Sequence, residues 1–303
     1  MLRNLYKLRF LTPVHFGADS GGDKLTAIAM TFHADTLFSA LYLQGEGEKL
    51  LSAVSNGQMW FSDAFPYSGD QLYLPKPAGI RNAASTLEDP SVRKLYKRLS
   101  FIPLSQLNTF LRGESDPMKL QTSFGSEFET VRVNHRDFEQ PLPYQITAYR
   151  FRDGCGLYLI VSAADESVSS LFDRQLLSLS AEGLGGKVSS GWGKFDYEKL
   201  PLPQAMESGL DNDAASCQLL LSTALPLQEE TEQVLQNGNW LLVRRGGFSF
   251  STSGKVHKKR TLYLLSSGST FAQRFHGQII NVAQNMPHPV WRYAMAGFMG
   301  VDA

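Results

Sequence analysis

Apolar and polar positions alternate from the start of the chain. Over residues 2–12, Leu2, Leu5, Tyr6, Leu8 and Phe10 are set against Arg3, Lys7 and Arg9, a pattern that predicts a first strand with one face buried. Pro13 ends it, and a polar, glycine-rich loop follows through Gly17, Gly21 and Gly22. The period then changes. Leu37, Ala40 and Leu41 make an apolar stripe over residues 33–44, and Asp35 sits in the first turn, where a negative charge suits the helix dipole. A helix is predicted there, ended by Gly45 and Gly47. Residues 59–65 read as a strand, and 72–74 as a short one stopped by Pro75 and Pro77.

Residues 81–140 break this rhythm. They are polar and weakly periodic, with short helices predicted at 91–99 and 104–111, a loop at 113–125 and one arm of a hairpin at 128–133. We read the stretch as an inserted arm projecting from the domain. Residues 145–151 and 156–163 flank Asp153-Gly154 and predict a hairpin. Val168, Leu171, Phe172, Gln175 and Leu179 recur at helical spacing over 165–179, and a strand is predicted at 192–200. Without the insertion the order is βαββ then βαβ, an α+β arrangement close to a ferredoxin-like (RRM-like) core. Leu200-Pro201-Leu202-Pro203 and the polar run 207–216 read as a linker. Strands at 217–225, 240–245, 262–265, 276–283 and 290–298, with a short acidic helix at 227–236, then suggest a second small lobe. The expected division is 1–200, carrying the insertion at about 81–140, and 201–303.

Between the first lobe's last helix and last strand lies GLGGKVSSGWGKF, residues 183–195. Glycines this dense let the backbone take positive φ and approach a ligand. Successive exposed N–H groups form an anion-binding concavity, to which Lys187 and Lys194 add charge and Ser189 and Ser190 add donors. Trp192 offers a flat face for a base. A tight connection with glycines at steric corners is the alternative. Basic residues recur beside other glycine turns: Arg244 and Arg245 before Gly246, and Lys258, Lys259 and Arg260 in the run KVHKKR. Arg132, His135 and Arg136 punctuate the insertion, and Arg93, Lys94, Lys97 and Arg98 cluster on one predicted helix. Each alone reads as solvated surface. Together they suggest a groove following a phosphate backbone, as in proteins that hold single-stranded RNA.

Lys+Arg and Asp+Glu balance at 29 each, so any polyanion must be met by a local patch rather than by a basic excess. No Walker A, HExxH or GxSxG pattern occurs, and the two cysteines, Cys155 and Cys217, have no zinc-ligand spacing, so neither metal nor cofactor is expected. His33 and Asp35, two residues apart on a helix, do not face each other, and read as a capping histidine and a dipole-matched aspartate. His15 reads as an anion contact. No apolar run approaches twenty residues, and the start of the chain is too charged for a signal peptide, so a cytoplasmic location is expected and no membrane contact.

Several blocks, in order, carry a resemblance: FLTPVHFG, HADTLFSALY, WFSDAFPY with YLPKP, LGGKVSSGWGKF, and RRGGF followed by KKRTLYLLSSGSTF. The chain resembles the RAMP superfamily, specifically the type III-A CRISPR (Csm) effector subunit that caps the 5′ end of the crRNA. The resemblance implies two ferredoxin-like lobes with the repeat-derived 5′ tag of the crRNA between them. It implies contact with the Cas10-type large subunit on one side and with the repeated RAMP backbone subunit on the other. It also implies a hairpin thumb, for which the insertion is the candidate, and no nuclease activity. The residues expected to hold RNA are Gly185, Gly186, Lys187, Ser189, Ser190, Gly191, Trp192 and Lys194 of the loop. Arg244, Arg245, Lys258, Lys259 and Arg260 add the second lobe's share, and His15, Gly17 and His33 the first's. Two alternatives stay open: a RAMP-type endoribonuclease processing precursor crRNA with His15 or His33 as general acid/base, and a protein-only scaffold whose loop is structural.

Overall fold

The computed structural model describes residues 1–18, 25–79, 90–134, 142–250 and 256–301. His135, Arg136, Lys255, Gly21 and Gly22 lie outside them. Strand β1 (Leu2–Phe10) forms where the alternation predicts it, and the two-residue strands β2 (Phe16–Gly17) and β3 (Ile28–Ala29) pair beyond Pro13. Helix α1 (Ala34–Tyr42) buries Leu37, Phe38 and Leu41. A second helix, α2 (Gly47–Ser55), begins where the glycines were expected only to end the first, and it buries Leu50, Ala53 and Val54. Strands β4 (Met59–Phe61), β5 (Phe65–Ser68) and β6 (Gln71–Pro75) follow.

The inserted region holds α3 (Pro90–Arg98), β7 (Phe101–Pro103), α4 (Leu107–Leu111) and β8 (Gly125–Asn134). Next come β9 (Leu142–Phe151), β10 (Cys155–Ala163), α5 (Glu166–Glu182) and β11 (Phe195–Pro201). The expected hairpin across Asp153-Gly154 does not form. Strand β9 pairs instead with β8, from Gly125↔Phe151 to Asn134↔Leu142, and β10 enters the main sheet beside β1. The reason lies in composition. Every position of β10 is buried, which only the centre of a doubly covered sheet permits.

That sheet runs β11–β1–β10–β5–β6–β7, with β4 also on β10, and its described pairs are antiparallel. Leu157, Leu159 and Val161 of β10 face the helices, packing with Phe38, Phe172 and Leu176. Tyr158 and Ile160 face the other way, against Met206, Leu219 and Val301. Each large side chain so buried contributes roughly 1.5–3 kcal/mol.

That second layer comes from the C-terminal part: α6 (Gln204–Asp211), β12 (Cys217–Leu220), α7 (Thr231–Gln236), β13 (Gly238–Asn239) and β14 (Leu242–Arg245). It continues with β15 (Phe248–Phe250), β16 (Val256–Lys258), β17 (Leu262–Leu265) and β18 (Thr270–Phe271). It closes with β19 (Gly277–Asn281), β20 (Trp291–Met295) and β21 (Phe298–Val301). A four-stranded sheet runs β13–β18–β12–β21, flanked by the pairs β14–β17, β15–β16 and β19–β20. The expected linker is largely ordered: Met206, Gly209 and Leu210 of α6 are buried, and Arg274 donates to the carbonyls of Gly209, Leu210 and Asn212 at that helix's end. The two parts share a core. Tyr293 of β20 stacks on Phe61 of β4 at 4.4 Å between centroids, and its hydroxyl donates to the Phe61 carbonyl at 2.9 Å.

Candidate nucleic-acid interface

The glycine-rich loop is held first by sterics. Gly193 has φ 78°, and a Cβ there would stand 2.1 Å from the Leu184 carbonyl oxygen. Gly185, at φ 103°, would bring a Cβ to 2.9 Å from the His15 carbonyl oxygen. Lys187 itself adopts φ 64° and starts a single 3-10 turn over Val188–Ser190. Much of the loop's backbone is already committed. The Gly186 N–H donates to His15 O at 2.8 Å, Ser190 N–H to Lys187 O at 2.9 Å and Gly191 N–H to Val188 O at 2.8 Å. The expectation that the Gly186 and Gly191 amides hold phosphates is therefore corrected: they hold the loop to itself and to the segment after β1. What the loop offers outward is the hydroxyls of Ser189 and Ser190, both exposed, and the half-buried Lys187.

Trp192 is also corrected. It is buried at 7% exposure against Ile146 and Ala148 of β9, so no open ring face remains for a base. The Lys187 amine lies 3.3 Å from the Tyr144 hydroxyl.

The loop's inner side meets the rest of the predicted set. Gly185, Gly186, His15, Gly17, His33, Arg245 and Lys259 line one cleft of about 470 Å³. The cleft joins a larger one of about 900 Å³ through Ala29, Thr31, Phe32 and His33, and that groove runs on past Arg98 and Thr122. Lys194, Arg244, Lys258 and Arg260 do not line either. Arg260 donates to the Asn281 carbonyl at 3.1 Å, while Lys194, Arg244 and Lys258 point to solvent.

His15 is oriented by its Nδ1, 2.8 Å from the Thr147 carbonyl oxygen. A carbonyl only accepts, so Nδ1 carries the proton. His33 stands at the N-cap of α1 but does not cap it. That role passes to Asp63, whose carboxylate accepts from Ala34 N–H at 2.8 Å. The same carboxylate accepts from Thr223 N–H, the Thr223 hydroxyl and the Ser267 hydroxyl, and Nδ1 of His33 lies 2.9 Å away. Burial pushes the Asp63 pKa up, yet the charge and hydrogen bond of His33 and the two backbone donors outweigh it, and the net shift is downward.

Charge in the cleft is unbalanced. Asp35, far from a mere dipole partner, is buried and receives Arg245 at 3.0 and 2.7 Å in a two-pronged contact, with Arg292 on the same carboxylate. Burial opposes its ionisation, but the two guanidiniums and His33 hold it at about 2. Lys259 stands beside this group. Burial pulls its pKa down, Arg292 and Arg245 add to that, and Asp35 opposes. Three cations against one carboxylate leave a surplus of positive charge, and the Lys259 amine has no hydrogen-bond partner among the described residues. A site built this way favours an incoming anion. Asp63, Thr223, Ser267 and Arg292 escaped sequence reasoning, because only tertiary contact brings them to α1.

Comparison with known proteins gives this fold a family. The model of the CRISPR Csm4 C-terminal domain matches residues 213–301. A Streptococcus thermophilus protein described as CRISPR system Cms protein Csm4 is 32% identical over 311 residues, spanning 98% of this chain and 99% of its own length. The chain belongs to the Csm4 family. It is a type III-A Csm subunit, as its sequence blocks imply. A relative of the same description from Mycobacterium tuberculosis (strain H37Rv) is 32% identical over 298 residues, covering 95% of this chain and 94% of that protein. A chain of the Csm3-Csm4 subcomplex of the type III-A CRISPR-Cas interference complex shares the fold at TM-score 0.66 and 17% identity, over 99% of this chain and 100% of that one. A chain of the Csm1-Csm4 cassette with cA4 does so at 0.62 and 19%, over 99% and 98%.

Proposed function

We propose that this chain is a non-catalytic RNA-binding subunit that holds the crRNA 5′ tag in the groove between its two parts. The observation that carries this is Lys259, an amine with no hydrogen-bond partner among the described residues, beside two arginines and facing a cleft walled by the glycine loop. In this reading the chain bridges the Cas10-type large subunit to the repeated backbone subunit, in the cytoplasm, as the solved Csm1-Csm4 and Csm3-Csm4 assemblies of relatives suggest. The order β11–β1–β10–β4 with α1 and α5 supports a ferredoxin-like first lobe over 1–200, and we assign 201–303 to a second. The β8–β9 hairpin, longer than the predicted arm, is the candidate thumb.

The test is ultraviolet crosslinking in the assembled complex, together with the Lys259→Gln substitution. The 5′ tag is expected to attach to this subunit, and Lys259→Gln to weaken crRNA retention. Retention by the wild type should also fall with rising pH earlier than an ordinary lysine would dictate, since its folded pKa is lowered. A tag attached only to other subunits, with Lys259→Gln silent, sinks the proposal.

A further inference from the structure

The backbone around Lys259 is pinned on both sides. Its N–H donates to the Gly247 carbonyl at 2.9 Å, one step beyond the β15–β16 ladder, where Phe248 pairs with Lys258. The neighbouring carbonyl, that of Gly246, accepts from Arg292 at 3.1 Å. One glycine turn therefore ties down both the lysine and the guanidinium, and Gly247 makes that turn at φ 103°. On the other side the Arg260 N–H donates to the Val282 carbonyl at 2.9 Å. The side chain of Lys259 faces the cleft of about 470 Å³, whose wall is apolar at Phe16, Phe32, Ala40 and Leu184.

Such an amine is placed to react. Desolvation and neighbouring cations both disfavour the ammonium, and the uncharged amine is a nucleophile. Burial and the guanidiniums of Arg292 and Arg245 act on Lys259 in this sense, and Asp35 opposes them. The surroundings also suit a product of opposite charge. With the amine protonated, three cations face one carboxylate; with an anion in its place, two guanidiniums would face two anions. One donor of this group lacks an acceptor. Nε of Arg292 is buried without a hydrogen-bond partner among the described residues, while its other two nitrogens bond to Asp35 and to the Gly246 carbonyl.

We infer that Lys259 is a carbamate-forming site, where its amine takes up carbon dioxide and the resulting anion is held by the charges of Arg245 and Arg292. The nitrogen lone pair forms a bond to the carbon, one C=O π pair moves onto oxygen, and the proton lost from nitrogen goes to water. Nothing is oxidised or reduced. Carbon dioxide is small and uncharged, so the apolar wall admits it. A carboxylate group beside guanidiniums then gains charge-assisted bonding that a solvated lysine cannot offer. The inference stands on the cleft itself. Only its consequence, that an anion in place of the Lys259 cation repels the crRNA backbone, rests on the RNA-binding reading above.

The test uses the full chain in isotopically labelled bicarbonate, which supplies carbon dioxide. The carbamate is trapped as its ethyl ester with a trialkyloxonium salt, and the modified lysine is mapped by mass spectrometry. The ester is expected at Lys259 and not at the exposed Lys194 or Lys258, and Arg245→Gln is expected to lose it. Assembly on crRNA before trapping is expected to abolish the signal. An ester absent from Lys259, equally present on the exposed lysines, or unchanged by Arg245→Gln overturns the inference. If the ester is absent while Lys259→Gln weakens crRNA retention, the carbamate falls and the cleft reading stands. An ester at Lys259 that persists at full yield in the assembled complex upholds the carbamate and counts against the RNA-binding reading.

Discussion

The Thr223 amide and hydroxyl both donate to the Asp63 carboxylate, at 2.9 and 2.8 Å, across 160 residues of sequence. Through that one side chain the start of α1, the strand region after β4 and the C-terminal part are tied at a single buried point, which also sets the Nδ1 side of His33. A few ångströms of groove wall thus depend on contacts between segments that the chain order keeps far apart.

The two buried aspartates predict acid sensitivity. Asp35 falls from 3.8 to about 2 on folding, and Asp63 is also lowered. A carboxylate with a depressed folded pKa stabilises the fold above its unfolded pKa, and that contribution is lost as pH falls through the folded value. Asp35 alone supplies on the order of 2 kcal/mol. Urea unfolding should show stability falling between about pH 4 and pH 2. Asp35→Asn should flatten that decline, and an unaltered pH profile in the variant would refute the assignment.

Two glycines of one loop should respond differently to alanine. Gly191 has φ 82° with open space around its would-be Cβ, so Gly191→Ala carries only the left-handed backbone cost of roughly 1–2 kcal/mol. Gly193→Ala adds a collision with the Leu184 carbonyl and should cost clearly more, seen as a lower unfolding midpoint. Equal effects would mean that close packing at Gly193 is not what holds the loop.

Trp192 should behave as a core residue. Trp192→Ala is expected to destabilise by about 3–5 kcal/mol, while Trp192→Phe should retain crRNA nearly as the wild type does. A large loss of RNA with Trp192→Phe at unchanged stability would return the ring to a stacking role.

Much of the fold was legible because local rules governed it. The period-two alternation of β1 and the helical stripe of α1 each bury a face that adjacent residues define. The glycine loop was recognisable from composition. The pairing of β10 was not, since Asp153-Gly154 is a good turn signal, and what overrode it was the need to bury both faces of an apolar strand. Helix α6 was hidden for the same reason: its few apolar positions matter only because β21 and the main sheet lie over them.

The sequence by itself determined many of the elements, the position of the loop and, through the order of its blocks, the family. Tertiary structure alone decided which basic residues share a site. It drew Lys259 and Arg245 to the loop and turned Arg244, Lys258 and Lys194 outward. It also spent the loop's amides and Trp192 on packing. The physical reason is that a charge or donor acquires its role from what lies within a few ångströms, and here those neighbours come from segments up to 257 residues away, as Arg292 does for Asp35.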